Sequence, residues 1–374
     1  MKNTMKIMLA LLTSVSLISN ASAGELTVTG SAKATYNMIS GGTSAARNRS
    51  SGKGIGVANE IDFGATGELE NGWSWNYQVQ FDPNSTAPNS TSADGNGQID
   101  DSRLELTTTF GTLGVYVTEG GLDTDNANSQ SVYGRPTDIG YSTGMGDGFD
   151  IGAFNNLQYH LPSGLLPFET TVKAGYASGQ ENLINSSNAV AAAGDDDFGR
   201  SAEQYQVTFV PIERLKVSAD YYKESGAGTT TKPVVQAAES GSLGLTYAYG
   251  DASFGISRTL KAPLIVGTSS TASVITNTTG GGQTTDAIRQ YSTNKMSAAY
   301  VLPNTGVSFS YEVEKSKREL IVNAAEYDIK SQAVQVAYTM GGMTLALSRA
   351  QHDNTSYAQN DDVEQTLFAM SMAF

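Results

Sequence analysis

Apolar and polar residues alternate along most of the chain with a period of two. Leu26, Val28, Ala32, Ala34, Tyr36 and Met38 are separated by Thr27, Thr29, Ser31, Lys33, Thr35 and Asn37, which describes a strand with one apolar and one polar face. Ile61, Phe63, Ala65 and Leu69 repeat the rhythm, and beyond Asn71-Gly72 it continues in Trp73, Trp75, Tyr77, Val79 and Phe81. Clean alternation recurs in 201–210, 215–222, 306–315 and 343–349, and is weaker in 252–260 and 292–302. Each run is about the ten residues a tilted strand needs to cross a bilayer.

The punctuation between these runs falls into two kinds. Tight turns are expected near Asn71-Gly72, Phe110-Gly111, Pro162-Ser163-Gly164, Pro211-Ile212, Gly250-Asp251, Pro303-Asn304 and Gly341-Gly342, which makes seven. Longer polar connections, eight in all, are expected at 39–55, 82–100, 120–150, 177–200, 224–238, 261–289, 316–325 and 352–362. Fifteen connections join sixteen strands. An even strand number with short turns at one end and long loops at the other predicts a transmembrane antiparallel β-barrel, closed because hydrocarbon cannot satisfy an open strand edge.

The stretch 120–150, after the predicted fifth strand, is too long for an ordinary connection. It is rich in glycine and aspartate, and anchored at both ends to a barrel wall it would fold back and narrow the pore.

The N-terminus changes the picture first. Lys2 and Lys6 precede an apolar run over 7–18 and then Ala21-Ser22-Ala23, the order of a secretory signal. Residues 1–23 are therefore expected to be removed, leaving 24–374 as the barrel. The apolar run is too short to span a bilayer, and no later segment approaches the ~20 apolar residues of a membrane helix. The chain carries 23 basic and 37 acidic residues and no cysteine. Nucleic acid is an improbable partner, since phosphate binding needs clustered cations, and stability must come without disulfides.

The last strand alternates Thr366, Phe368, Met370, Met372 and Phe374 with Gln365, Leu367, Ala369, Ser371 and Ala373. With the signal segment, the opening Leu26-Thr27-Val28-Thr29-Gly30, the sixteen-strand rhythm, the long loop after the fifth strand and the terminal Phe374, the chain resembles the general porins of Gram-negative outer membranes, most of all the alphaproteobacterial type. The resemblance implies a homotrimer in the outer membrane, a passive channel for small hydrophilic solutes and ions, and Phe374 as the signal read by the barrel-assembly machinery. It also implies a pore narrowed by acidic third-loop residues facing basic wall residues.

Alternation supplies the candidates. Leu104 and Leu106 face out, so Arg103, Glu105 and Thr107 face in, and the same reasoning turns Lys33, Glu60, Asp62, Glu68, Tyr116, Lys173, Lys216 and Asp220 inward. The loop offers Asp123, Asp125, Asp138, Asp147 and Asp150, with Arg135 as its one cation; Arg103, Lys33 and Lys173 are the wall bases expected to face it. Such a constriction would favour cations.

Catalysis has little support, because the only histidines, His160 and His352, lie far apart and no cysteine accompanies them. No cofactor is expected. Asp94-Gly95-Asn96-Gly97-Gln98-Ile99-Asp100-Asp101 has a trace of a calcium loop but lacks glycine at its sixth position; Asp195-Asp196-Asp197 and Asp361-Asp362 add further carboxylates for a loop-bound Ca2+. Two other readings stay open: a substrate-selective channel on the same fold, and a secreted adhesin or structural protein whose apolar faces pack as a sandwich.

Overall fold

The computed structural model describes residues 25–42, 52–82, 98–125, 129–138, 141–178, 201–225, 234–267, 275–276, 288–321 and 326–374. Sixteen strands form one closed antiparallel barrel. In chain order they are β1 (Leu26–Gly41), β2 (Gly52–Glu68), β3 (Ser74–Asp82), β4 (Gln98–Thr108), β5 (Gly111–Val117), β6 (Asn156–His160), β7 (Thr171–Ala177) and β8 (Ser201–Ile212). The second half is β9 (Leu215–Ser225), β10 (Glu239–Tyr249), β11 (Ala252–Ala262), β12 (Ile288–Val301), β13 (Val307–Leu320), β14 (Ile329–Met340), β15 (Met343–Asp353) and β16 (Val363–Ala373). Each pairs with its neighbours in sequence.

β1 closes on β16, with Ser31 opposite Ala373 and Gly41 opposite Val363. The seam ends on the last residue: Gly30 and Phe374 exchange backbone hydrogen bonds of 2.8 and 3.0 Å. Gly30 has no alternative there, because a Cβ would lie 2.5 Å from the Glu60 carbonyl oxygen and 2.9 Å from the Phe374 ring.

The distribution of residues is inverted relative to a water-soluble protein. Val334 and Met296 are 61% and 63% exposed, while Lys295 and Glu314, one step along the same strands or their neighbours, are 1% and 2% exposed. Leaving one such aliphatic side chain in water forgoes roughly 1.5–3 kcal/mol, and the outer wall carries them on every side, so hydrocarbon is the surrounding that this wall fits. The sandwich arrangement is overturned, since the apolar faces are displayed outward instead of packing on one another. Among the described residues no helix is long and apolar enough to cross a membrane.

Most turns fall where glycine and asparagine predict them, with Gly72, Gly250, Asn304 and Gly341 at positive φ. One expectation is corrected: Pro211-Ile212 stays within β8, and the chain reverses at Glu213-Arg214, with Arg214 at φ 70°. The weakly patterned runs 252–260 and 292–302 form full strands. Two of the expected loops are also partly ordered, because Val234–Gln236, Ile265–Gly267 and Ile275–Thr276 pair into a small separate sheet.

Candidate functional site

The described parts of the loop, 118–125, 129–138 and 141–155, do not stay outside the barrel. They enter it and run along the inner wall, and the wall residues they touch are the alternate, inward-facing positions of the strands. The loop's first part is held by β6, β8 and β9. Asn156 Nδ2 donates to the Glu119 carbonyl at 3.0 Å, Gln206 Nε2 to the Leu122 carbonyl at 3.1 Å, and Thr124 donates its backbone N–H and hydroxyl to Asp220 Oδ1 at 2.9 and 2.7 Å. Leu122 and Ile151 pack with Ala177, Ala202 and Tyr222 into an apolar cluster that ties the two ends of the loop to one patch of wall.

The middle of the loop meets β13 and β14. Glu312 Oε1 accepts the Ser129 hydroxyl and the backbone N–H groups of Gln130 and Ser131 at 2.8, 2.8 and 2.9 Å. Gln335 Nε2 donates to the Gly134 carbonyl at 2.6 Å, and Tyr133 packs against Ala333, Ala350 and Leu367. The returning limb is fixed from above as well. Tyr141 stacks on the buried His352, the Tyr357 hydroxyl of the last outer loop accepts the Gly146 N–H at 3.1 Å, and Gln204 Oε1 accepts the Ile151 N–H at 2.7 Å. Irregular backbone that enters the barrel thus finds wall partners along both described limbs, as buried backbone must.

At the centre of this contact lies a cluster of charges. Lys295 Nζ reaches Asp125 Oδ2 at 3.5 Å, Asp147 Oδ1 at 3.1 Å and Glu314 Oε1 at 4.0 Å. Arg135 Nη1 reaches Asp147 at 3.5 Å and Glu314 at 3.4 Å. An ammonium this buried is tolerated only with carboxylates around it, because its effective desolvation cost is several kcal/mol.

Asp123 lies beside Asp125 and Asp150 and its carboxyl is pushed up to about 10, by burial first and then by its hydrogen bonds to those two neighbours. Asp125 goes the other way: against its burial, the hydrogen bond from Asp123 and the charges of Lys295 and Arg135 hold it below the usual carboxylate range. The arrangement favours one shared proton in the pair over two full charges, with Asp123 the end pushed toward its protonated form.

These positions sort the candidates. Asp123, Asp125, Asp147 and Arg135 come together, with Asp150 alongside; Asp150 Oδ1 accepts the Leu122 and Gly152 N–H groups at 2.9 and 3.0 Å and so shapes the loop. Asp138 ends a short 3-10 turn, Pro136–Asp138, and its side chain lies outside the described residues. Two of the three wall bases meet the loop, Arg103 at its start and Lys33 at its middle, but none of them lies in the central charge cluster. Arg103 pairs with Glu119 at 2.7 Å, Lys33 lies over the Tyr133 ring at 5.2 Å, and Lys173 sits opposite His160 on β6. The wall base at the centre of the charge cluster is Lys295. Alternation alone could have placed it inward, between the outward Asn294 and Met296, although not its partners.

The wall formed by β2 to β5 carries a second polar set. Gln78 Nε2 donates to Asp62 at 2.9 Å, Asn76 Nδ2 to Glu105 at 3.0 Å, and the Tyr116 hydroxyl to Glu105 at 2.5 Å. Glu119, at the start of the loop, is pushed up by burial against the pull of Arg103, with Glu105 and Asp62 close enough to add to the rise. Glu119 and Glu105 both lie near the one Arg103 guanidinium, with Asp62 close by.

The triplet 195–197 and the first half of the expected calcium loop, 94–97, lie outside the described residues, and its second half, 98–101, opens β4. Among the described residues no group of three or more His, Asp or Glu side chains could hold a metal. Gly140-Tyr141-Ser142-Thr143-Gly144 has the letters of a hydrolase nucleophile elbow, yet 141–144 is irregular backbone and not the strand-to-helix turn that the elbow requires.

No family model and no curated protein sequence matches the chain. Solved structures do. OmpF of Salmonella typhi, in complex with daunomycin, superposes with a TM-score of 0.63 at 14% identity over 94% of this chain and 98% of that one. An anion-selective porin from Comamonas acidovorans gives 0.61 at 12% identity over 94% and 100%. The trimer form of OmpT of Vibrio cholerae gives 0.57 at 13% identity over 94% and 100%. At these identities the likeness is one of fold, a closed antiparallel barrel like those of these outer-membrane proteins.

Proposed function

We propose that the protein is a passive channel of a Gram-negative outer membrane, admitting small hydrophilic solutes and ions through a pore narrowed by its third loop, without turnover or cofactor. The observation that carries this reading is the loop itself, folded inside a closed sixteen-stranded barrel and held against β8 to β15 by paired polar groups. The loop thereby takes up part of the lumen, and the polar wall of β2 to β5 is proposed to line the passage that remains.

Selectivity follows from which charges remain uncompensated. Asp125 and Asp147, together with Glu314 of the wall, face Lys295 and Arg135, and Asp123 is pushed toward its protonated form, so the loop contributes less negative charge than its aspartates suggest. Asp62, Glu105 and Glu119, gathered around Arg103, are proposed to give the passage its negative bias, so that cations are favoured. The proposal extends to export by the 1–23 segment, assembly guided by Phe374, and a homotrimer of the alphaproteobacterial type.

Reversal potential in a planar bilayer under a KCl gradient tests it. Stepwise currents that prefer K+ are expected, with the preference reduced in Asp62→Asn and Glu119→Gln. Well-folded protein that forms no channels would overturn the reading, and channels with an unchanged preference in both variants would overturn the charge assignment.

A further inference from the structure

The outer wall is not uniformly apolar. On β11 to β15 the outward positions change character toward the loop end, where Arg258, Lys315, Lys317 and Lys330 are all exposed. Three of them share one register level: Arg258 lies opposite Asn294, Asn294 opposite Lys315, and Lys315 opposite Lys330. Lys317 stands one outward step above Lys315. Directly opposed like charges destabilise a sheet, so the Lys315–Lys330 pairing has a cost that a bound anion would remove.

The carboxylates nearby are fewer. Asp328 meets Lys315 at 3.0 Å and Asp353 is the register partner of Lys330. The Lys315–Asp328 pair is exposed at both ends, 58% and 38%, and such pairs contribute about 0–1 kcal/mol, so it yields readily to a stronger anion. On a chain of formal charge −14, this excess of cations on a lipid-side surface stands out.

Directly beneath runs a hydrogen-bonded belt, Tyr311 to Gln332 at 3.3 Å, Gln332 to Gln351 at 2.9 Å and Gln351 to Glu364 at 3.3 Å. Below it the same strands present Met296, Phe309, Val334 and Phe254, all about half exposed or more. The order is cations, polar belt, apolar wall, which is the order of a lipid with an anionic head.

We propose that the outward face of β11 to β15 is a binding site for a phosphorylated lipid of the leaflet on the loop side, its phosphates held by Arg258, Lys315, Lys317 and Lys330 and its acyl chains laid along Phe309 and Val334. The site rests on the membrane placement proposed above. Ion conduction by the same preparations reports on that placement separately.

The test is native mass spectrometry of the full chain in non-ionic detergent with bisphosphorylated lipid A, with the same lipid stripped of phosphate, and with inorganic phosphate. Saturable binding of the bisphosphorylated lipid is expected, weakened more than about tenfold by removing the phosphates or by the combined Arg258→Gln, Lys315→Gln, Lys317→Gln and Lys330→Gln variant. Asp328→Asn with Asp353→Asn should instead tighten binding, an outcome that misfolding cannot imitate. Equal binding of the stripped lipid, equal occupancy by inorganic phosphate, or no response to either set of substitutions would overturn the proposal.

Discussion

Replacing Lys295 by methionine keeps most of the side-chain volume and removes the charge that Asp125, Asp147 and Glu314 surround. Arg135 would then be the only cation left in ion-pair contact with Asp147 and Glu314 among the described residues, with Lys261 acting on Asp125 and Asp147 from further off. Breaking a buried ion pair by removing one partner costs about 3–5 kcal/mol, because the other charge stays buried without compensation. The Lys295–Asp125 contact is buried at both ends and takes the full penalty, whereas Asp147, 38% exposed, is screened by water and takes less.

The barrel does not have to unfold to relieve the strain. The loop can leave the wall near 125 and 147 while the apolar cluster of Leu122, Ile151 and Tyr222 holds its ends. The expected readouts are therefore local. Amide exchange at Gly146 and Gly148, whose N–H groups donate to Tyr357 and Asp125, should accelerate by about two orders of magnitude or more, the exponential of ~3 kcal/mol. Single-channel current should become noisy as the loop fluctuates. Lys295→Met with Asp125→Asn should recover much of the loss, since it removes the stranded charge. A Lys295→Met protein with unaltered exchange and a quiet, unaltered conductance would refute the view that this cluster holds the loop.

Asp123 supplies a pH dependence. The docked loop keeps a proton on Asp123 that the released chain gives up near pH 4, so docking is strongest below about pH 4 and weakens as pH rises toward 10. Asp123→Asn, whose amide donates without a proton, should make docking at pH 8 stronger than in the unmodified protein and flatten its pH profile; amide exchange of the loop at pH 6 and pH 8 decides, and an unflattened profile would count against the shared proton. At the seam, Gly30→Ala places a methyl 2.5 Å from the Glu60 carbonyl. Overpacking of this kind costs about 1–3 kcal/mol, so heat-modifiable gel mobility should show a lower folded yield, and a wild-type yield would mean the β1–β16 seam has room that its geometry denies.

The sequence by itself determined the wall. Strand pairing with a period of two is a local property, and it placed sixteen strands, most turns and the long loop after β5, because alternation, glycine and asparagine act within a few residues of where they stand. It erred where a local signal was ambiguous: Pro211 reads as a turn residue, yet β8 carries it to Ile212. The inward set was also legible, Lys33, Arg103 and Asp220 among it. What each inward charge meets was not. Thr124 finds Asp220 across 96 positions, Lys295 finds Asp147 across 148, and Ser131 finds Gln335 across 204. Those partners exist only once the barrel has closed and the loop has entered it, so the sequence supplied the charges and the tertiary structure decided which of them cancel.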